Sequence, residues 1–520
     1  MKAFLMHRDR DFDPEAAPPP NSEALIQDLE LDVLFKVMAQ GDGHVFEVAS
    51  KAVLQVLRDE DEIRYRQDVL RDVLANPLLA RQLYDLTIEA HQKVTNSHYW
   101  AYSKTPSATL AHAVSMLQKY VALLKQLRGI GTYNANRFSS EGFKAFFAML
   151  DQELKDEYFA TIQDHLNRLK FRDGVLISAE LGIGHKGANY TLRRPKDPPE
   201  SLVARLKAPR PPAYTFHLAP RDEAGAKALG ELTDRGLNLV ANALAQSNDH
   251  ILSFFTMLRT EVAFYIGCLN LREQLAKKGL PISFPTPAPL SERKLTFNGL
   301  YDLCLTFSTD RRVVGNDLNA DDRDFVIVTG ANQGGKTTFL RSLGLAQLTM
   351  QCGMFVPAES FSANLCAHVF THYRREEDAS MRSGKLDEEL NRCSAIVDQI
   401  RPDALLLFNE SFASTNEREG SEIARQITSA LLERRVKIAF VTHLYDFAHS
   451  VYDKNVGTTI FLRAERQADG GRTFKLLEGE PLQTSYGEDL YNEIFDATAD
   501  PGPPGARSGE QNVRFGGGSR

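Results

Sequence analysis

The sequence predicts an α/β domain with a mainly parallel sheet and a phosphate-binding loop, preceded by an α-helical domain that carries a small β insertion. Three observations point there. GANQGGKT (330–337) follows the run DFVIVT directly. Beyond about residue 290, short apolar runs such as DFVIVTG, DALLLFNE and KIAFVTH alternate with helix-like segments, the pattern of buried parallel strands with crossover helices. Upstream, apolar residues recur at helical spacing, and FRDGVLISAELGIGHKGANYTLRRP (171–195) interrupts them with glycines and β-branched runs.

Taken in order, residues 1–22 read as a loose arm ending in APPPNSE, followed by a helical domain over 23–289. Leu110, Val114, Leu117, Val121 and Leu124 alternate four- and three-residue steps, and Gly129 is the expected stop. Leu237, Val240, Leu244, Ile251, Leu258, Val262 and Tyr265 lie on one stripe that closes at Gly279 and Pro281, either a core face or a long lever-like helix. The 171–195 stretch predicts a hairpin within an insertion at about 170–215. FPTPAPLSERK marks the change of character, the second domain spans 290–497, and the Gly/Pro-rich tail 498–520 reads as disordered.

Charged residues make up 25% and hydrophobic residues 43% of the 520, ordinary values for a globular chain. A net charge of −7 exerts no global pull on nucleic acid, so any such binding requires a local basic surface. Cys268, Cys304, Cys352, Cys366 and Cys393 are scattered without a CxxC pair, which predicts buried or free thiols in a reducing compartment. The amino-terminal apolar stretch is too short for a signal peptide, and no run nears the about 18 apolar residues of a membrane helix. The chain reads as cytoplasmic, with no membrane partner.

The loop Gly330, Ala331, Asn332, Gln333, Gly334, Gly335, Lys336 and Thr337 fits GxxxxGK[ST]. Glycines let backbone N–H groups wrap phosphate oxygens with no Cβ in the way. Lys336 brings a point charge to the outer phosphates, Thr337 offers a hydroxyl to Mg²⁺, and the helix opening there, with Thr338 in its first turn, points its positive end at the anion. A strand before the loop and a helix after it supply the context that the motif requires. At the end of LLLFNE, Glu410 is placed to orient or deprotonate a water attacking the γ-phosphate of ATP. The third strand ends at Thr442 and His443; His443 either senses the γ-phosphate or is a satisfied structural residue.

With these motifs, the chain resembles the MutS family of DNA mismatch-repair ATPases. TGANQGGKTTFLRSLGLAQLTMQCGMFVPA is similar to the family's TGPNMGGKST block and its continuation, ESFASTNEREGSEIA to the signature loop after the Walker B glutamate, VTHLYDF to A-T-H-Y-x-x-L, and Thr484-Ser485-Tyr486-Gly487 to a late S-Y-G turn. The resemblance is specific over 295–490 and weaker across the helical half. It implies a P-loop (ABC-type) ATPase domain using ATP and Mg²⁺, and a homodimer with composite ATP sites. Asn316 is expected near the base. Ser414, Thr415 and Asn416 occupy the loop that would reach the partner's nucleotide, with Asn416 where the family's serine falls. Asn409 stands where the family has its Walker B aspartate, so the expected metal set is Thr337, Asn409 and Glu410 with one charge missing; weak Mg²⁺ dependence and slow turnover follow. The chain begins in the lever region, with no counterpart of the mismatch-reading domain, its Phe-x-Glu wedge or a nuclease module, so mismatch reading is not expected.

The hairpin sits where the family inserts its DNA-gripping clamp. Lys186, Arg193, Arg194 and Lys196, followed by Arg205, Lys207 and Arg210, either neutralise DNA phosphates or form a basic solvated loop. Two functional readings follow: an ATP-hydrolysing dimer that clamps DNA in repair or recombination, or a nucleotide-gated scaffold for protein partners with little turnover and no DNA binding.

Overall fold

The computed structural model of the chain describes residues 1–95, 105–171, 174–194, 214–375, 384–454, 457–467 and 471–482. The helical half is built from α1 (Ser22–Asp28), α2 (Leu31–Ala39), α3 (Gly43–Leu54), α4 (Glu60–Ala75), α5 (Pro77–Thr95), α6 (Pro106–Asn134), α7 (Glu141–Glu153) and α8 (Asp156–Arg168). The hairpin β1 (Ile177–Leu181) and β2 (Gly187–Leu192) comes next, and then α9 (Glu223–Lys277). Side-chain caps start several of these helices: Asp42 accepts from the His44 and Val45 N–H groups, and Asp59 from Asp61 and Glu62 with three acids in the first turn.

The predicted stripe becomes α9, 55 residues and about 80 Å long. Leu237, Ile251, Leu258, Val262 and Tyr265 are buried along it. It ends where Gly279 turns left-handed, with the Leu280 N–H returning to the Leu275 carbonyl at 3.2 Å. By length and composition α9 is apolar enough to cross a membrane, contrary to expectation, but 72% of its most apolar window is buried in the protein. Gly129 does not stop α6, which continues to Asn134. The later Gly131 is a packing site instead: a Cβ there would sit 2.9 Å from the Phe147 ring on α7.

The hairpin forms as expected, antiparallel with Ile177 opposite Leu192. It rests on α9 at Gly236, where a Cβ would lie 2.5 Å from Ile177 Cδ1. From Gly236 to the end of α9 is about 60 Å of helix.

The amino-terminal residues are not a loose arm. Ala3, Leu5, Met6 and Phe12 are buried, and the Glu261 carboxylate on α9 accepts the Leu5 N–H at 2.6 Å and the Phe12 N–H at 3.1 Å. The Tyr265 and Tyr65 hydroxyls donate to the Leu5 and Phe4 carbonyls. Apolar residues spaced irregularly along an extended segment leave no periodicity to read, yet each fills a gap between helices.

Downstream come β3 (Thr286–Ala288), β4 (Leu295–Leu300), α10 (Leu303–Ser308), β5 (Asn316–Asn319), β6 (Phe325–Thr329), α11 (Lys336–Gln351), β7 (Ser360–Asn364) and β8 (Val369–Tyr373). They are followed by α12 (Lys385–Gln399), β9 (Leu405–Asn409), α13 (Glu417–Glu433), β10 (Lys437–Val441), α14 (Tyr445–Asp453), β11 (Thr459–Arg466) and β12 (Arg472–Glu478). The main sheet runs β12-β11-β6-β10-β9-β8, with every pairing parallel except β11–β12. A smaller sheet runs β3-β7-β4-β5. The three expected strands are β6, β10 and β9, side by side, so their carboxyl ends converge.

Side chains of β6 alternate between two cores. Val326 and Val328 join a cluster that extends from Ala3 through α9 to Leu476, while Phe325 and Ile327 face Phe408, Phe440 and Phe447. The helical and α/β halves therefore share one interior. The wholly buried Arg66 stitches them together, donating to the Met6 and Cys352 carbonyls at 3.1 Å each. All five cysteines are buried and unpaired.

Candidate nucleotide site

The chain leaves β6 at Gly330, whose φ of 107° belongs to the left-handed half of the map that glycine favours. A side chain there would also meet the Ala464 backbone nitrogen at 2.9 Å, and one at Gly334 the Ala464 Cβ at 2.7 Å. The loop is thus pressed against β11, and its glycines are needed for space as well as conformation. Gln333 (φ 57°) and Gly335 (φ 88°) turn left-handed around Gly334, directly before α11 begins at Lys336. Successive N–H groups in such turns make an anion nest at a helix amino terminus.

Lys336 is buried, and its ammonium donates to the Gly330 carbonyl at 2.9 Å and the Ala331 carbonyl at 3.0 Å. Burial, reinforced by Arg472 and opposed by Glu410, lowers its pKa to about 8. Glu410 faces the same cavity at the end of β9, and its Oε1 lies 2.8 Å from His443 Nε2. That hydrogen bond outweighs burial and, with Lys336 close by, holds the Glu410 carboxyl below the usual range. A carboxylate only accepts, so His443 carries a proton on Nε2. The cavity, about 420 Å³, is lined by Asn332 to Thr338, Glu410, Asn316, Arg311, Val313 and Phe474, among others.

Several residues missed in the sequence belong here. Phe474 and Arg472 come from β12, and the Arg472 guanidinium donates to Gln333 Oε1 at 3.2 Å. Arg311 and Arg312 precede β5. Their chain positions carry no signal: the antiparallel return of β12 beside β11 brings Phe474 and Arg472 to the loop, and Arg311 and Arg312 arrive from the segment before β5. Asn316 lines the cavity but is spent on architecture: its Oδ1 accepts the Leu476 N–H at 2.8 Å and its Nδ2 donates to the Phe474 carbonyl at 3.3 Å. It holds β12 as a wall.

The Thr337 hydroxyl donates to Asn409 Oδ1 at 3.0 Å. Neighbouring oxygens of a Mg²⁺ octahedron are roughly 3 Å apart, so this pair fits two adjacent positions. Both are neutral, and no group of three or more His, Cys, Asp or Glu is placed for a metal among the described residues. Phosphate oxygens would have to supply the charge.

Ser414, Thr415 and Asn416 do not line the cavity. Ser414 donates to Glu389, Thr415 to Glu419, and Asn416 caps α13 by accepting the Glu419 N–H. Lys186, Arg193 and Arg194 are exposed on the hairpin, Arg193 bonding Ser178 Oγ at 2.7 Å, while Lys196, Arg205, Lys207, Arg210 and residues 484–487 lie outside the described residues. No described residue of the hairpin lines the cavity.

Comparison with known proteins agrees with this architecture. A family model described as the MutS2 N-terminal domain matches residues 58–278, and one described as MutS domain V matches 326–492. The human MutS protein homolog 4 is 25% identical over 201 residues, 37% of this chain and 22% of its own length. The DNA mismatch repair protein MutS of Thermotoga neapolitana is 26% identical over 232 residues (44% and 28%), and the Endonuclease MutS2 of Lacticaseibacillus paracasei is 30% identical over 197 residues (37% and 24%). These matches span only about a quarter of the curated relatives' length. With both halves of its fold matched by domains of one family, around a phosphate loop in that family's setting, the chain belongs to the MutS family.

Proposed function

We propose that this protein binds and hydrolyses ATP and couples that cycle, as a homodimer, to holding DNA in repair or recombination. The observation that carries the reading is one cavity lined by the anion nest, Lys336 and Glu410, with His443 bonded to Glu410. In this scheme the loop N–H groups take the phosphates, and Lys336 leaves the Gly330 and Ala331 carbonyls for the outer phosphate oxygens. Glu410, ionised and fixed by His443, orients the attacking water. Mg²⁺ would sit at Thr337 and Asn409 and neutralise phosphate charge. The exposed basic residues of the hairpin would contact DNA phosphates without reading sequence.

ATPase rate measured with duplex, mismatched and four-way DNA tests the proposal. Stimulation by DNA, with binding that weakens as salt rises, is expected. A second reading, a nucleotide-gated scaffold with little turnover, draws on the neutral Thr337–Asn409 pair. Slow hydrolysis indifferent to every DNA would favour it.

A further inference from the structure

The loop that follows Glu410 has an unusual conformation. Glu410 (φ 53°) and Phe412 (φ 64°) are both left-handed, and neither is glycine. Such residues persist only where their surroundings over-determine them, and they cluster at functional sites. The source of that constraint is on α12 and β8.

Glu389, on α12, is 2% exposed. One of its carboxylate oxygens accepts the Phe412 N–H at 3.0 Å and the other the Ser414 hydroxyl at 3.0 Å. From β8, His372 stacks on Phe412 with ring centres 5.5 Å apart. Burial keeps its ring neutral, with a pKa of about 4. Its Nε2 lies 3.0 Å from the Glu389 carbonyl, and the Ser411 Oγ lies 2.7 Å from both the ring Nδ1 and the His372 carbonyl, so its one proton serves these two neighbouring acceptors. Ser411, Phe412 and Ser414 are thus all gripped, and Phe412 is fully buried between Phe408 and His372.

We propose that Glu389 is a positioning residue for hydrolysis: it holds the loop after Glu410 so that the Glu410 carboxylate stays aimed into the nucleotide cavity. The inference rests on the ATPase reading above. Glu389 touches neither nucleotide nor water, and acts through the backbone of Phe412 and the hydroxyl of Ser414. It also sets which way Ser414 points, since a hydroxyl donating to Glu389 cannot donate to a phosphate at the same time. Opening and closing of that one bond would separate an inward from an outward signature loop.

The test is steady-state ATP hydrolysis together with equilibrium ATP affinity and thermal unfolding, on the full chain. Glu389→Ala is expected to lower kcat by about a hundredfold, the effect of a catalytic group misplaced by about 1 Å, while ATP affinity stays within about twofold. Ser414→Ala, which removes one of the two grips, should give an intermediate loss. The double variant should be no slower than Glu389→Ala alone. Unchanged kcat in folded Glu389→Ala overturns the inference alone, as does a loss matched by an equal loss of ATP affinity. Should Glu389→Ala fail to fold, Ser414→Ala decides, and unchanged kcat there overturns the inference. Absence of hydrolysis by the unsubstituted protein overturns the ATPase reading, and this inference with it.

Discussion

If the chain binds ATP as proposed, Lys336 should make that binding sensitive to pH in a direction the structure specifies. In the free protein its ammonium is buried against loop carbonyls with Arg472 nearby, and its pKa falls to about 8. A bound triphosphate restores the charged form, so the bound pKa is higher. Below pH 8 the lysine is already protonated and affinity is flat. Above it, each pH unit removes up to about tenfold, or about 1.4 kcal/mol, because a proton must be taken up on binding. Between pH 7.5 and 9.5 the expected loss is about 25-fold, a range in which the phosphates themselves stay ionised. Isothermal titration in two buffers of different ionisation heat would read the affinity and the uptake of close to one proton at pH 9. Lys336→Arg, charged at every pH used, should bind with a flat profile. Flat affinity in the unsubstituted protein, or the same slope in Lys336→Arg, would refute the reasoning.

Three other perturbations probe separate links. Asn409→Asp places a charge beside the Thr337 hydroxyl and should lower the half-saturating Mg²⁺ for hydrolysis roughly tenfold; superimposable Mg²⁺ titrations would sink that account. Phe474→Ala strips an aromatic wall from the cavity and is expected to weaken ATP binding about tenfold, the scale of a lost base stack, as read by fluorescent-nucleotide displacement; undiminished affinity would place the base elsewhere. Phe12→Ala should destabilise the fold by about 3–5 kcal/mol in urea unfolding, since Phe12 is 1% exposed, whereas a loose arm would register almost nothing.

Much of the α/β domain could be read in advance because its signals are local. β6, β9 and β10 are continuous apolar runs, and a strand buried on both faces has no other way to be written. The stripe of α9 was likewise visible at helical spacing, although its 55-residue length was not. Where the reading failed, the cause was distant packing. The first twelve residues carry no period, yet Glu261, 256 positions away, pins Leu5. Gly129 looked like a stop, but α6 gains more from burying Ile130 and seating Phe147 on Gly131 than an interior glycine loses, about 1 kcal/mol.

The sequence by itself determined the phosphate loop, the strand that leads into it and the acid and histidine at the ends of two further strands. Motif spacing and hydrophobic runs are properties of adjacent residues. Only the tertiary structure decided what each side chain then does. It made Asn316, expected near the base, a brace for Leu476, 160 positions on, paired His443 with Glu410, and put Glu389 behind the loop that follows Glu410. Those roles depend on which hydrogen-bond donors meet which acceptors once the chain has closed on itself, and sequence proximity carries no record of that.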